Sequence, residues 1–205
     1  MDVTERFIVG ITGASGTIYG VRLLQALLAC SCEIHLIVSD MGAKVASHDL
    51  CLPEEGIENA LASLAAGGSA PGRIMLHNNR DMFAPVASGS FQVRGMAVIP
   101  CSMKTMAAVA SGYTSGLLER AADVTLKERR TLVLVPRETP LSRVHLKNML
   151  AAQEAGAIIL PASPAFYHHP ETVDDLVDFV VERVMDTLGV PMPRARRWGT
   201  QGRKG

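Results

Sequence analysis

The fold is decided by the stretch Phe7-Ile-Val-Gly-Ile11, which runs directly into Thr12-Gly-Ala-Ser-Gly16. Such an apolar run fits a strand buried on both faces, and the small polar turn after it opens a helix. The helix start would offer free backbone N–H groups to an anion such as a phosphate, although tight packing explains a glycine-rich turn equally well. Gly10, Gly13 and Gly16 are spaced in threes, which differs from the G-x-G-x-x-G fingerprint of dinucleotide sites.

The apolar pattern recurs along the chain, with helical patterns between the runs. The predicted strands are 7–11, 34–38, 96–99, 132–135 and 157–160, and the predicted helices are 20–28, 104–110, 117–127, 141–152 and 173–188. A helix and a variable surface loop are expected within 53–72. We therefore predict an α/β fold: a single Rossmann-like, flavodoxin-like doubly wound domain with a mainly parallel sheet and helices on both faces.

The two ends of the chain differ in composition. Residues 1–190 are expected to form the domain, and residues 191–205 are expected to form a basic C-terminal arm that contains Trp198. Packing of this arm on a neighbouring subunit is favoured over a contact with nucleic acid, because its cluster of basic residues is small.

The composition excludes several classes of protein. The chain has 205 residues, of which 48% are hydrophobic and 20% are charged, and this excludes a mostly disordered protein. Twenty Lys and Arg balance twenty Asp and Glu, so no overall field attracts nucleic acid or an anionic membrane. The four cysteines show no zinc-site spacing, and Cys101 is interpreted as a buried thiol rather than a nucleophile. We expect a cytoplasmic, reduced protein that self-associates, with no metal and no membrane span.

Polar residues follow several of the predicted strands, where α/β sheets bind their ligands. Ser39 follows the second strand, and Ser102 with Thr105 follows the strand 96–99, although each hydroxyl could equally be a helix N-cap. Arg137 and Glu138 follow the strand 132–135, where packing explains a charged pair poorly. These two residues are therefore the best candidates for a site.

Three further groups are candidates for binding. Arg120 and Lys127 fall on one face of the helix 117–127 and could neutralise a phosphate, but an ion pair of Arg120 with Asp123 is the competing interpretation. Tyr167 precedes two histidines, for which a loop role is favoured over a metal site. Arg183 lies among apolar residues of its helix, where a side chain reaching out to solvent is the simplest interpretation.

Eight short blocks stand in order along the chain: Thr12-Gly-Ala-Ser-Gly16, Pro85-Val-Ala-Ser-Gly-Ser90, Pro100-Cys-Ser-Met-Lys-Thr105, Glu119-Arg-Ala-Ala-Asp-Val124, Leu126-Lys-Glu-Arg129, Leu132-Val-Leu-Val-Pro-Arg-Glu138, His145-Leu-Lys-Asn-Met149 and Pro164-Ala-Phe-Tyr-His168. Together these blocks resemble the UbiX/Pad family of flavin prenyltransferases, within the homo-oligomeric flavin-containing cysteine decarboxylase-like superfamily. The resemblance runs from about Phe7 to Trp198.

The resemblance implies transfer of a dimethylallyl group from dimethylallyl monophosphate to N5 and C6 of reduced FMN, without a metal. The prenylated FMN would serve a UbiD-type decarboxylase, and the enzyme would be a homo-dodecamer with sites at subunit junctions. The residues implied to hold FMN are Gly13, Ala14, Ser15, Ser39, Ser102, Met103, Lys104, Thr105 and Arg137. The residues implied to hold the donor are Tyr167, Arg183, Arg120 and Lys127, and the implied catalytic residues are Ser15, Glu138 and Lys127.

Two positions depart from the family pattern. Phe83 lies in a stretch where some members have a tryptophan, and Asp49 stands where some relatives have a glutamate near the flavin.

Two alternative functions remain: an FMN-dependent cysteine decarboxylase of the same fold, and a non-catalytic flavin-binding subunit of an aromatic acid decarboxylase. The first would carry P-A-S-A-N-T where this chain has Pro100-Cys-Ser-Met-Lys-Thr105, and the second would not need a second phosphate pocket.

Overall fold

A computed structural model describes residues 5–67 and 71–191. Trp198 and nearly all of the predicted C-terminal arm lie outside the described residues. Within the described ranges no helix is long and apolar enough to cross a membrane.

Six parallel strands form one sheet in the order β3-β2-β1-β4-β5-β6. The strands are β1 (Arg6–Ile11), β2 (Glu33–Val38), β3 (Arg73–Asn78), β4 (Gly95–Cys101), β5 (Thr131–Pro136) and β6 (Ile158–Ile159). The chain builds outward from β1 to β3 and then returns to the other side of β1 to place β4. Such a reversal opens a crevice beyond the carboxyl ends of β1 and β4, where doubly wound folds bind ligands. The predicted fold class is confirmed.

Seven helices cover the sheet: α1 (Thr17–Ala29), α2 (Asp40–Leu50), α3 (Ile57–Ala66), α4 (Met103–Ser111), α5 (Leu117–Lys127), α6 (Arg143–Glu154) and α7 (Val173–Leu188). Side chains of a strand alternate between its two faces, which is visible in β5. Val133 and Val135 pack in the cluster that includes α1 and α7, whereas Leu132 and Leu134 pack in the cluster that includes α4 and α5. Helices α5 and α7 therefore lie on opposite faces of the sheet.

Two elements were missed by the sequence patterns, and one is shorter than predicted. Strand β3 is an edge strand whose residues are half-buried or exposed, so it lacks the continuous apolar run of the inner strands. Two residues of helix α2 are buried, Gly42 and Ala46, and its sequence has a weak apolar stripe. Strand β6 has two residues instead of the predicted four.

A buried polar network joins β2 to the edge strand β3. Glu33 is buried, and its carboxylate accepts hydrogen bonds from Arg6, from Arg73 and, at 2.9 Å, from Nε2 of His35. Because Nε2 of His35 donates to Glu33, Nδ1 of neutral His35 accepts the 2.8 Å hydrogen bond from Nε2 of His77. The two imidazole rings also stack, with their centroids 5.1 Å apart. This arrangement requires at least one of the two histidines to be neutral, because one nitrogen of the His35–His77 hydrogen bond must accept.

We predict that this histidine pair makes stability depend on pH. Burial lowers the pKa of both His35 and His77 below the usual value, and at His35 it outweighs the opposite effect of the Glu33 carboxylate. The unfolded chain therefore binds more protons than the folded chain once the pH falls below about 6.5, and the free energy of unfolding decreases with decreasing pH. Urea unfolding at pH 8.0, 6.5 and 5.5 measures this slope.

In the variant His77→Gln the pH dependence of the unfolding free energy should be reduced between pH 8.0 and 5.5. His48→Gln is the matched control, since His48 is exposed on α2 and should leave the slope unchanged. Equal slopes of unfolding free energy against pH in the wild type and in His77→Gln would contradict the assignment of this pH dependence to the histidine pair.

Candidate functional site

The crevice between β1 and β4 is held by one buried threonine. Thr12, which is 1% exposed, donates its hydroxyl hydrogen to the carbonyl of Pro100 at 2.8 Å. The same hydroxyl oxygen accepts a hydrogen bond from the backbone N–H of Ser102 at 2.7 Å. Thr12 thereby fixes the distance between the turn that follows β1 and the start of α4. Its role is a tertiary contact between distant segments, so local sequence gave no signal for it.

Two serines that were candidates for FMN binding begin helices at this crevice. The Ser39 hydroxyl accepts a hydrogen bond from Gly42 N at 3.0 Å, and the Ser102 hydroxyl accepts one from Thr105 N at 3.3 Å. Both residues are therefore N-caps, as the competing interpretation held. The Ser102 hydroxyl also donates to Oγ1 of Thr105 at 3.2 Å. The first N–H groups of α2 and α4 lie at the same edge of the sheet, where each helix follows its strand. The arrangement favours a phosphate.

These helix starts line a cavity of about 400 Å³, here called the β1–β4 pocket. Five of the predicted FMN-binding residues line it: Gly13, Ser39, Ser102, Lys104 and Thr105. The other lining residues are Asp40, Met41, Asn79, Arg80 and Ser115, none of which was singled out from the sequence. Asn79 and Arg80 follow β3, the strand that the sequence patterns missed.

Gly13 is required by a close approach of two backbone segments. A Cβ atom at position 13 would lie 2.7 Å from the Cβ of Met41, which is on the first turn of α2. Carbon atoms do not approach this closely, so any side chain at position 13 would push α2 away from the turn. The glycine therefore allows the turn after β1 and the start of α2 to come together at the pocket.

Both cations that line the β1–β4 pocket among the described residues are paired with carboxylates. Lys104 Nζ lies 2.6 Å from Oε1 of Glu119, the third residue of α5, and Arg80 Nη2 lies 2.7 Å from Oδ2 of Asp40. Glu119 is 3% exposed, and its second oxygen, Oε2, is buried without a hydrogen-bond partner. The wall of the pocket thus holds two ion pairs beside the hydroxyl groups.

Ser15 and Arg137 meet beside the start of α1. Arg137 Nε donates to the carbonyl of Ser15 at 2.8 Å, and the Ser15 hydroxyl donates to Asp49 Oδ1 at 2.9 Å. The other Asp49 oxygen accepts from the backbone N–H of Gly16 and Thr17 at 2.7 and 3.1 Å. Burial raises the pKa of Asp49, but these hydrogen bonds outweigh it and hold the pKa below its usual value. Asp49 therefore caps α1 as a carboxylate and orients the Ser15 hydroxyl.

Three residues at this edge are buried. The side chain of Met103 packs in the hydrophobic core, which leaves its backbone N–H at the start of α4 to face a ligand. Ala14 is also buried, and its N–H bonds to the carbonyl of Thr12 at 2.8 Å. Cys101 is completely buried, and burial raises the pKa of its thiol to about 12. The thiol is therefore not a nucleophile, in agreement with the interpretation from sequence.

Known proteins match the chain over almost its whole length. The family model described as Flavoprotein matches residues 1–185. The flavin prenyltransferase UbiX of Pseudomonas aeruginosa is 47% identical over 203 residues, which are 98% of this chain and 97% of that protein. The chain belongs to the UbiX family of flavin prenyltransferases.

Solved structures agree with membership in the UbiX family. The crystal structure of AnUbiX in complex with FMN and dimethylallyl pyrophosphate is 42% identical, with a TM-score of 0.83, and covers 96% of this chain and 100% of its own. A dodecameric FMN-dependent UbiX-like decarboxylase from Escherichia coli O157:H7 is 48% identical, with a TM-score of 0.82. The match covers 94% of this chain and 99% of that protein.

The residues implied to hold the prenyl donor are spread over the molecule. Arg120 and Lys127 lie on α5, whereas Arg183 lies on α7 across the sheet. Lys127 precedes β5 and Glu138 follows it, so the six residues of this strand, about 20 Å in length, separate them. Within one chain, the candidate donor-binding residues Arg120, Lys127 and Arg183 do not converge on a single phosphate.

Each of these cations has an acidic partner within its own chain. Arg120 Nη1 lies 2.8 Å from Asp123, Lys127 Nζ lies 2.5 Å from Glu128, and Arg183 Nη1 lies 3.5 Å from Asp186. Arg120 also donates to the carbonyl of Ala87 at 3.2 Å. Tyr167, Glu138 and Phe83 are exposed, Phe83 completely. Among the described residues, no group of three or more metal-binding side chains comes together.

We predict that Thr12→Val destabilises the protein. Valine has nearly the shape of threonine but leaves the Ser102 N–H without its acceptor, which costs roughly 1–3 kcal/mol of unfolding free energy. Urea unfolding measures this loss. Thr187→Val is the control, because Thr187 is half-buried on α7 and its hydroxyl bonds within its own helix, to the carbonyl of Arg183. An equal loss of unfolding free energy in both variants would contradict the role of Thr12 in holding the turn after β1 to the start of α4.

Proposed function

We propose that the chain transfers a dimethylallyl group from dimethylallyl monophosphate to N5 and C6 of reduced FMN. FMN is then a substrate, and prenylated FMN is the product that a UbiD-type decarboxylase uses. The observation that carries the proposal is the β1–β4 pocket, where two helix starts with serine caps meet at the reversal of the strand order. Membership in the UbiX family supports the same reaction.

The pocket suits the phosphate and ribityl chain of FMN. Hydroxyl groups of Ser39, Ser102 and Thr105 and the N–H groups of α2 and α4 supply hydrogen-bond donors to the phosphate. Gly13 allows the flavin close to the backbone. Arg137 and Ser15 lie beside the start of α1, where they would contact the flavin ring. Each of these assignments rests on position at the carboxyl edge of the sheet together with the family resemblance.

Cations favour the departure of the donor phosphate. Cleavage of the allylic C–O bond develops negative charge on the phosphate, which the side chains of Arg120, Lys127 and Arg183 would stabilise in a site shielded from water. Tyr167 would donate a hydrogen bond to the same group. Glu138 would move a proton together with the leaving phosphate, and Ser15 would assist proton movement near N5 of the flavin. The hydrogen bond from Ser15 to Asp49 orients its oxygen for this role.

The placement of the donor residues favours a site shared between copies of the chain. Since α5 and α7 lie on opposite faces of the sheet, Arg120 and Lys127 of one copy can share a phosphate with Arg183 only if Arg183 comes from another copy. Exposed apolar side chains such as Phe83, Val144 and Leu150 provide surface for such contacts. We infer a homo-dodecamer with sites at subunit junctions, as in the dodecameric relative.

We further propose that residues 1–190 act as one FMN-binding unit, that residues 191–205 form an arm against a neighbouring subunit, and that the enzyme works in the cytoplasm. The four free cysteines support a reducing compartment. An FMN-dependent cysteine decarboxylase or a non-catalytic flavin carrier would need no site for a prenyl donor. Neither would turn over a prenyl phosphate.

The reaction is tested by anaerobic incubation of a substoichiometric amount of protein with reduced FMN and dimethylallyl monophosphate, followed by mass spectrometry of the released flavin. The expected result is a gain of one C5H8 unit over several turnovers. A parallel arm with the diphosphate donor compares the two leaving groups. A flavin that stays unmodified with both donors would overturn the proposal in favour of the carrier or the cysteine decarboxylase, which cysteine peptides then test.

We predict that Glu138→Ala lowers the turnover number by a factor on the order of 10²–10⁴, because a proton-transfer group is removed. FMN affinity, measured by quenching of flavin fluorescence, should be unchanged, since Glu138 does not line the β1–β4 pocket. Full activity in this variant would exclude a role for Glu138 in proton transfer.

A subunit-mixing experiment tests the shared site. Lys127→Met and Arg183→Met should each be inactive, but co-expression of both should restore about a quarter of the wild-type activity, because random assembly pairs an intact α5 with an intact α7 in that share of the junctions. Lys127→Met mixed with Arg120→Met is the matched control. Both of those changes lie on α5, so every junction keeps one defect, and activity should not return.

A further inference from the structure

The charges of the β1–β4 pocket are unusual for a site that binds a dianion. Both cations that line it among the described residues, Lys104 and Arg80, already have carboxylate partners at 2.6 and 2.7 Å. A site that retains a phosphate permanently gains affinity from cations that remain available to the phosphate. Here Glu119 and Asp40 compensate the positive charge instead, Glu119 from behind Lys104 and Asp40 from the lining of the pocket itself.

Folding alone does not explain Glu119. A carboxylate that is 97% buried loses its hydration, and a buried oxygen without a hydrogen-bond partner adds to this cost. Glu119 has both properties, since it is 3% exposed and its Oε2 is unpartnered. The proposed prenyl transfer also assigns it no role. Its one ionic contact among the described residues is Lys104, which is itself mostly exposed to the pocket.

Asp40 gives the same arrangement from the other side of the pocket. It is the first residue of α2, directly after the N-cap Ser39, and it pairs with the guanidinium of Arg80 in the turn after β3. The two ion pairs join residues of three helices and this turn. They share one property, which is that each places a carboxylate against a pocket cation.

We infer that Glu119 and Asp40 limit the affinity of the β1–β4 pocket for the FMN phosphate, so that flavin exchanges between turnovers instead of remaining as a resident cofactor. The inference rests on the proposed function, in which FMN enters as a substrate and leaves prenylated. Hydroxyl groups and helix N–H groups are sufficient to select and orient the phosphate, and the compensated cations keep its release fast. The two carboxylates thus determine affinity without touching the reacting atoms.

The variants Glu119→Gln and Asp40→Asn test the inference, because each keeps the size of the side chain and removes one negative charge. The dissociation constant of oxidised FMN is measured by fluorescence quenching, and its release rate by stopped flow. We expect each variant to bind FMN about tenfold more tightly, equivalent to 1.4 kcal/mol, and to release it more slowly. The gain should shrink as salt is raised, since charge causes it.

Riboflavin and a distant glutamate provide the controls. Riboflavin lacks the phosphate, so its affinity should not change in either variant. Glu5→Gln removes the same charge from an ion pair with Arg94 at the amino edge of the sheet, and it should leave the FMN affinity unchanged. Thermal unfolding checks that each variant folds. Because Asp40 is exposed, Asp40→Asn can test the inference alone if Glu119→Gln does not fold.

FMN affinity that is unchanged or weaker in the folded variants would overturn the inference, and so would an equal gain for riboflavin. Neither result depends on prenyl transfer, because the measurement uses oxidised FMN without a donor. If the wild type prenylates FMN but the variants do not bind it more tightly, the inference fails and the proposed function stands. If the variants bind FMN more tightly but no prenylation occurs, the function fails and the role of the carboxylates remains.

Discussion

The candidate site depends on a single hydroxyl group. Thr12 holds the turn after β1 to the start of α4, through one hydrogen bond that it donates and one that it accepts. This contact lies at the point where the order of the strands reverses, and it sets the width of the crevice there. The cap Ser102 and the cation Lys104 take their positions from the start of α4, which this contact holds beside the turn that contains Gly13. A small shift of α4 would move Lys104 and Thr105 together.

Much of the fold could be predicted from the sequence, because inner strands of a parallel sheet are apolar on both faces and helices between them follow a regular period. Strand β3 could not, since an edge strand with one covered face has no continuous apolar run. The residues after β3, Asn79 and Arg80, were missed for the same reason. Glu119 lay within a block used for the resemblance, but its contact with Lys104 joins residues on two helices and depends on packing that local patterns do not encode.

The sequence predicts the spatial grouping of the candidate FMN residues better than that of the candidate donor residues, since five of the former line one pocket. Residues that follow parallel strands meet at one edge of a sheet, so position in sequence predicts position in space for the pocket. Arg120, Lys127 and Arg183 follow no such rule, because helices on opposite faces carry them. The sheet that creates the pocket therefore also separates the donor residues of one chain. Assembly becomes a requirement of the proposed chemistry rather than an addition to it.

The two ends of the sheet bear on how copies of the chain can meet. Strand β6 has two residues, and the outer strand β3 carries Arg73, whose side chain is mostly exposed. Short strands and charged side chains make poor templates for backbone pairing with another chain. Growth of a continuous sheet from copy to copy is thereby discouraged at both edges. Copies of the chain would therefore meet through side-chain surfaces rather than through backbone pairing at these two edges.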